Sequence, residues 1–303
     1  METPLERGGG DRSLIPQAFI NDWKVHAPWP NPRQVEQDLI ICRALCDLFN
    51  SPALKGRIAF RGGTAINKLL FPEPLRYSED IDLVQTRAEP IGKTIDAIRE
   101  ALEWLGVPAR KVAGHSMHLN YRFNPEVAPE ERLLLKVEMN TREHANLLGL
   151  REMPFKMRNE WYSGSCEICT FAPEELFGTK LRALLQRRKN RDLFDLHHGL
   201  RLLGLDARLV IQAFDHYLGL EGVAITRAHA EERMLKKLIA SLTDDIGPLL
   251  PAGIRFEETD AIAAFEHVWR EVIAQLPGDG WKRTPDVLEE FRLCKFPGLL
   301  EGI

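Results

Sequence analysis

Residues 60–84 read FRGGTAINKLLFPEPLRYSEDIDLV. A short apolar strand runs into Gly62-Gly63-Thr64, an apolar helix follows, Pro72 and Pro74 close it, and Asp80-Ile81-Asp82 lies on a second strand. Residues i and i+2 of a strand share a face, so Asp80 and Asp82 present two carboxylates side by side while Ile81 turns to the core. Carboxylates held that close repel unless a cation stands between them. Mg²⁺ (or Mn²⁺) suits the position, because such an ion takes carboxylate oxygens and keeps waters and phosphate oxygens as its other ligands. A glycine turn that opens a helix leaves backbone N–H groups facing outward to phosphate. The stretch therefore reads as half of a metal site joined to half of a nucleotide site.

The missing half of the metal site needs a third acid from a neighbouring strand, since phosphoryl-transfer sites often hold two ions about 3.5–4 Å apart. Residues 133–140, LLLKVEMN, alternate cleanly. Leu135, Val137 and Met139 share one face, and Lys136, Glu138 and Asn140 share the other, which makes Glu138 the candidate. Ser78, two residues before Asp80, either hydrogen-bonds the nucleotide phosphates or closes the turn after Arg76.

Outward from this centre, apolar spacing predicts helices over 33–49, 64–70 and 91–105 and strands over 57–60, 79–85, 117–123, 133–140 and 167–171. From residue 173 the period becomes helical, over 173–188, 191–203, 207–220, 227–242, 257–274 and 285–294. A strand-containing half followed by an all-helical half predicts an α+β chain with a boundary near residue 170. Residues 1–32, rich in Gly, Pro and charge, are expected to form a flexible N-terminal arm whose end Trp23 and Trp29 anchor.

The bulk numbers narrow the function. With 44% hydrophobic and 28% charged residues the composition is that of a soluble globular chain. No apolar run reaches membrane-span length, and the first twenty residues lack an apolar signal core. Five cysteines, an odd number, fit reduced thiols. The expected location is the cytoplasm, without membrane association. A net charge of −4 excludes a globally basic coat for nucleic acid but leaves room for a local basic channel.

Such a channel has a candidate in TKLRALLQRRKNRDLFDL, residues 179–196. Phe177, Leu181, Leu184 and Leu185 form the buried stripe, and Lys180 and Arg187 lie on one flank about two turns apart. They can reach a triphosphate and, beyond it, a polynucleotide backbone. Asp192 and Asp195 follow. A purely local role is open to them: Asn190 as helix cap, Asp192 at the positive helix end, and Arg191 paired with Asp195 at i,i+4.

Taken in order, strand, Gly-Gly-Thr, helix and Arg-Tyr-Ser-Glu-Asp-Ile-Asp-Leu resemble the polymerase-β-type nucleotidyltransferase superfamily. More narrowly they resemble the AbiEii/AbiGii toxin family of bacterial type IV toxin–antitoxin and phage-defence loci. Arg187, Lys189, Arg191, Asp192, Asp195 and Leu196 match the family's R-x-K-x-R-D-x-x-D-L sequence. The third acid is Glu138 where the family often has Asp.

The resemblance implies a nucleotidyltransferase core over 33–170 with a small mixed sheet, followed by a helical C-terminal domain over 171–303. Metal-dependent transfer of NMP from an NTP to an RNA acceptor, the 3′ end of tRNA, and a cognate antitoxin are implied with it. The implied active site adds Lys180, Arg191, Asp192 and Asp195. In that reading Asp80, Asp82 and Glu138 hold metal, Gly62, Gly63, Thr64, Ser78, Lys180, Arg187 and Arg191 bind the nucleotide, and Asp192 or Asp195 orients a basic residue or the acceptor. Transfer to a protein side chain would use the same metal site, and a non-catalytic nucleotide or antitoxin binder would keep the fold alone.

Cys166 and Cys169 have the spacing of half a zinc site without a second half, and read as strand cysteines. Cys42 and Cys46 read as core. His115, His118, His197 and His198 read as surface or structural groups.

Overall fold

The computed structural model describes residues 15–127 and 130–302. In chain order the strands are β1 (Ile58–Arg61), β2 (Asp80–Gln85), β3 (Ala109–Ala113), β4 (Ser116–Phe123), β5 (Leu133–Asn140), β6 (Leu150–Arg158) and β7 (Ser163–Phe171). They make one sheet in the order β3-β4-β5-β2-β1-β7-β6. β2 runs antiparallel to β1 and parallel to β5, and β7 runs parallel to β1. The sheet is therefore mixed.

Helices α1 (Gln17–Trp23), α2 (Pro32–Asn50), α3 (Gly62–Ala65) and α4 (Gly92–Ala101) belong to the strand-containing half, with α3 continued by a π turn over Ile66–Leu70. α5 (Pro173–Gln186), α6 (Arg191–Leu202), α7 (Ala207–Leu220), α8 (Arg227–Lys237), α9 (Glu258–Glu271) and α10 (Thr284–Cys294) make up the other half. The chain is α+β, as expected.

Alternation along the strands sorts side chains onto two faces. On one face Phe60, Ile81, Leu83, Val137 and Met139 pack with α2 through Leu39, Leu45 and Leu48. α2 starts where Asn31 Oδ1 accepts the backbone N–H of Arg33 (3.0 Å), with Pro32 at its first position. On the opposite face Ala59, Val84, Cys169 and Phe171 are covered by Phe177, Leu181, Leu184 and Leu185 of α5. α5 lies close on α7 because residue 178 is glycine: a Cβ there would sit 2.6 Å from the Ala213 Cβ. The helical cover ends before the start of β2 and the middle of β5. There the same face carries Asp80, Asp82, Lys136 and Glu138.

Three expectations need correction. The arm expected over 1–32 is not loose where the structure describes it: Ile15, Ile20, Trp23, Ala27 and Trp29 are buried. The Trp23 and Trp29 indoles donate to Asp38 at 2.9 and 3.2 Å, and Lys68 Nζ reaches the same carboxylate at 2.6 Å. Residues 1–14 lie outside the described residues. Second, β3, β6 and the first half of β7 escaped the sequence reading. β3 and β6 are the two edges of the sheet, where one-sided burial fades, and Pro154 inside β6 is tolerated because an edge strand has an unpaired side. Third, of the local capping scheme at α6 only Asp192 in the first turn holds. The Asn190 amide donates to the Ser241 carbonyl (2.9 Å), and Asp195 pairs with Arg76 and Lys180 instead of Arg191.

Candidate nucleotide-transfer site

Strand register assembles the acids. Parallel pairing of β2 with β5 sets Asp80 opposite Lys136 and Asp82 opposite Glu138, and antiparallel pairing with β1 sets Arg61 opposite Asp82. Glu138, Asp82 and Arg61 thus form a row across three strands. Lys136 Nζ lies 3.2 Å from Asp80 Oδ2 and 3.3 Å from Glu138 Oε2. His118 on β4, opposite Glu138, places Nε2 3.3 Å from the same Oε2. Of the two roles open to His118, surface or structural, this contact to Glu138 fits the structural one.

The charges respond to this crowding. Burial, then the neighbouring Asp80 and Glu138, push the Asp82 carboxyl above the usual carboxylate range. Burial works the same way on Glu138, but Ser116, Lys136 and His118 outweigh it and hold that group low. Burial would discharge Lys136, yet Asp80 more than compensates and holds its pKa up. A half-buried Asp82 facing two more acids is short of positive charge, which is what a hard divalent cation supplies. Among the described residues no three His, Cys, Asp or Glu side chains close a metal cage by themselves. The donor set fits an ion that retains waters and phosphate oxygens as ligands.

The glycines fit against these acids. Gly62 has φ +81°, and a Cβ there would lie 2.1 Å from Asp82 Oδ2. At Gly63 a Cβ would lie 2.7 Å from Arg76 Nη2, 3.2 Å from Ser78 Oγ and 3.4 Å from Lys180 Nζ. A side chain at either position collides with the site, so glycine is required at 62 for conformation and space and at 63 for space. Thr64 behaves differently from expectation. Its hydroxyl donates to the Asp80 carbonyl at 2.5 Å and lies 2.8 Å from Ser78 Oγ, which ties α3 to β2. Buried in that position, its side chain does not line the cavity.

Behind the glycines runs a chain of alternating charge. Arg76 donates to both oxygens of Asp195, Asp195 Oδ2 is 2.8 Å from Lys180 Nζ, Lys180 Nζ is 3.1 Å from Asp192 Oδ1, and Arg187 donates twice to Asp192. Burial would raise both aspartates, but Lys180 and Arg187 at Asp192, and Arg76 and Lys180 at Asp195, hold them low. Asp192 and Asp195 therefore position basic side chains and do not themselves face the cavity.

All of this surrounds one cavity of about 260 Å³. Seven cationic side chains (Arg61, Arg76, Lys136, Lys180, Arg182, Arg187 and Arg191) and four carboxylates (Glu79, Asp80, Asp82 and Glu138) line it, with Gly62, Gly63 and Ser78. This cationic excess suits a polyanion. The structure brings together Asp80, Asp82, Glu138, both glycines, Ser78, Lys180, Arg187 and Arg191, and leaves the side chains of Thr64, Asp192 and Asp195 behind the wall. Arg61, Arg76 and Arg182 were missed. Arg76 lay in plain view within RYSEDID, but its buried bidentate partner is 119 residues away.

A family model described as nucleotidyl transferase AbiEii toxin, type IV toxin–antitoxin system, matches residues 43–274. Among solved structures the chain is similar to MenT4, a nucleotidyltransferase toxin from Mycobacterium tuberculosis H37Rv. The identity is 18% and the TM-score 0.61, over 92% of this chain and 99% of that one. It is also similar to JHP933 from Helicobacter pylori, at 15% identity and TM-score 0.49, over 87% of this chain and 98% of that one. Comparison with curated proteins gave no match. The family match spans most of the sequence and contains the diglycine, the acidic strands and the Lys180–Arg191 segment, and this protein belongs to the AbiEii family of nucleotidyl transferase toxins of type IV toxin–antitoxin systems.

Proposed function

We propose that this nucleotidyltransferase moves NMP from an NTP to an RNA acceptor, the 3′ end of tRNA, and so blocks translation. The observation that carries the reading is the shared cavity. Three carboxylates face Gly62, Gly63 and Lys180 across one cationic pocket. Asp80, Asp82 and Glu138 would hold Mg²⁺ or Mn²⁺, which when bound supplies Lewis-acid polarisation of the reacting phosphate and charge to offset the departing pyrophosphate.

The residues of this chain do the rest. Gly62 and Gly63 offer backbone N–H groups to the triphosphate, with Ser78 beside them. Lys180, fixed by two aspartates, brings an ammonium to the same point. Arg191, whose guanidinium has no hydrogen-bond or ion-pair partner among the described residues, turns a free charge toward the nucleotide. Arg187, Arg188 and Lys189 are exposed where α5 ends, and they favour a polynucleotide acceptor through its phosphates. Residues 33–170 act as the nucleotidyltransferase core, and the helical domain over 171–303 supplies Lys180 and the basic loop. Among the described residues no helix is long and apolar enough to cross a membrane, and we place the protein in the cytoplasm with a cognate antitoxin as partner.

The test incubates purified protein with Mg²⁺, each α-labelled NTP, and total bacterial RNA and protein. Label on a tRNA-sized band, lost in Asp80→Ala, is the expected result. Label on a polypeptide would replace the RNA acceptor with a protein side chain, and no label anywhere would leave a non-catalytic binder.

A further inference from the structure

Arg61 and Arg182 lie inside the two stretches that define the site, 60–84 and 179–196, without a role assigned to either, yet both face its cavity. Arg61 ends β1 directly before Gly62, and Arg182 lies on α5 two residues after Lys180. One buried carboxylate joins them. Glu143 Oε2 accepts from Arg61 Nη1, and Glu143 Oε1 accepts from Arg182 Nη1 at 2.8 Å. Glu143 is itself fixed, because Asn140 Oδ1 accepts the backbone N–H groups of Arg142 and Glu143, each at 2.9 Å, in the turn after β5. Arg182 also reaches Glu221 at the rim, and its guanidinium lies 5.4 Å above the Tyr217 ring.

Resting on the nucleotidyl-transfer reading, we propose that Arg61 and Arg182, held side by side by Glu143, form the subsite for the β,γ-diphosphate of the NTP and for the pyrophosphate that leaves. Each guanidinium has five N–H donors, and only the Nη1 group of each is committed to a carboxylate. Among the described residues Nε and Nη2 of both have no hydrogen-bond partner, and none of these atoms is fully sealed from solvent. A purely structural clamp would leave less donor capacity turned to the cavity.

Register supplies the direction. Along the row Glu138, Asp82, Arg61 the charge changes from acidic to basic at the strand beside the diglycine. The phosphorus under attack belongs at the acidic end. Its bond to the bridging oxygen breaks as the acceptor hydroxyl oxygen bonds to it, the hydroxyl proton passes to solvent water, and pyrophosphate departs with the electron pair of the broken bond. That growing charge falls at the basic end, where two planar guanidiniums match phosphate geometry.

The experiment titrates tripolyphosphate, pyrophosphate and orthophosphate into the intact protein with Mg²⁺ by calorimetry, for wild type, Arg61→Met and Arg182→Met. Each variant is expected to weaken tripolyphosphate and pyrophosphate binding by about tenfold or more, the loss of one charge-assisted contact, with little change for orthophosphate. Wild-type affinity in both variants, even with a lowered melting temperature, would overturn the subsite and leave Glu143 a structural clamp. Where a methionine variant does not fold, Arg61→Lys or Arg182→Lys keeps the charge with fewer donors. Weaker tripolyphosphate binding then supports the subsite, and unchanged binding overturns it. The labelled-transfer assay on wild type separates the two readings. Intact transfer with unaltered variants sinks the subsite alone, and tripolyphosphate binding without transfer sinks the enzymatic reading alone.

Discussion

Arg76 Nε and Nη2 meet Asp195 Oδ1 and Oδ2 at 2.8 and 2.6 Å, with both side chains about 1% exposed. This pair locks the loop before β2 onto α6. It also leaves Asp195 Oδ2 aimed at Lys180. Without Arg76, Asp195 keeps Lys180 on Oδ2 but has Oδ1 left unpaired, and breaking a buried pair from one side costs roughly 3–5 kcal/mol. Arg76→Met is therefore expected to lower stability by about that amount in denaturant titration, and Arg76→Met with Asp195→Leu to recover part of it. Nucleotide binding should not recover in the double variant, because Lys180 has lost half of its support.

Lys180→Met separates function from folding. Asp192 keeps Arg187 and Asp195 keeps Arg76 in its absence, so the fold should persist with a modest drop in melting temperature. NTP affinity should fall about tenfold or more, because a charged contact to phosphate is lost. Fluorescence titration with a labelled NTP reads this directly.

Gly62→Ala tests whether the diglycine and the acids are one site. The new Cβ meets Asp82 Oδ2, and φ +81° costs an alanine about 1–2 kcal/mol. Transfer activity should be abolished while far-ultraviolet circular dichroism stays native. Retention of activity would separate the turn from the acidic row.

Much of this site was legible because its parts are local. Asp80 and Asp82 alternate on one strand, and glycines before a helix signal close approach of backbone and ligand. The hydrophobic period of LLLKVEMN places Glu138 on the polar face, and the pairing of β5 with β2 sets it opposite Asp82. Arg61, Arg182 and Glu143 were not legible, since their meeting depends on where α5 crosses the sheet. Thr64 turns its hydroxyl to the Asp80 carbonyl, and Asp192 and Asp195 orient basic residues, one of the two roles the resemblance implies for them. A residue in a motif can serve the site from behind, and sequence does not tell which way its side chain turns.

Glu36 supplies a pH test away from the site. Burial pushes its carboxyl up to about 7, against the backbone N–H groups of Glu126 and Val127, which pull it down. The folded pKa exceeds the ordinary value of 4.5, so the folded state favours the protonated form. Stability from this group is present below that ordinary value and falls as pH rises toward 7. Glu36→Gln should raise the melting temperature at pH 8 and lose that advantage near pH 4, as followed by thermal melts across that range.

The central claim is that Asp82, opposite Glu138 and under Gly62, belongs to a working transfer site. Pyrophosphate release should be measured for wild type and Asp82→Asn with saturating NTP, Mg²⁺ and RNA. Wild type is expected to release pyrophosphate in step with RNA labelling, and the variant to lose roughly a hundredfold or more while still binding NTP. Equal rates in the two proteins would contradict the account.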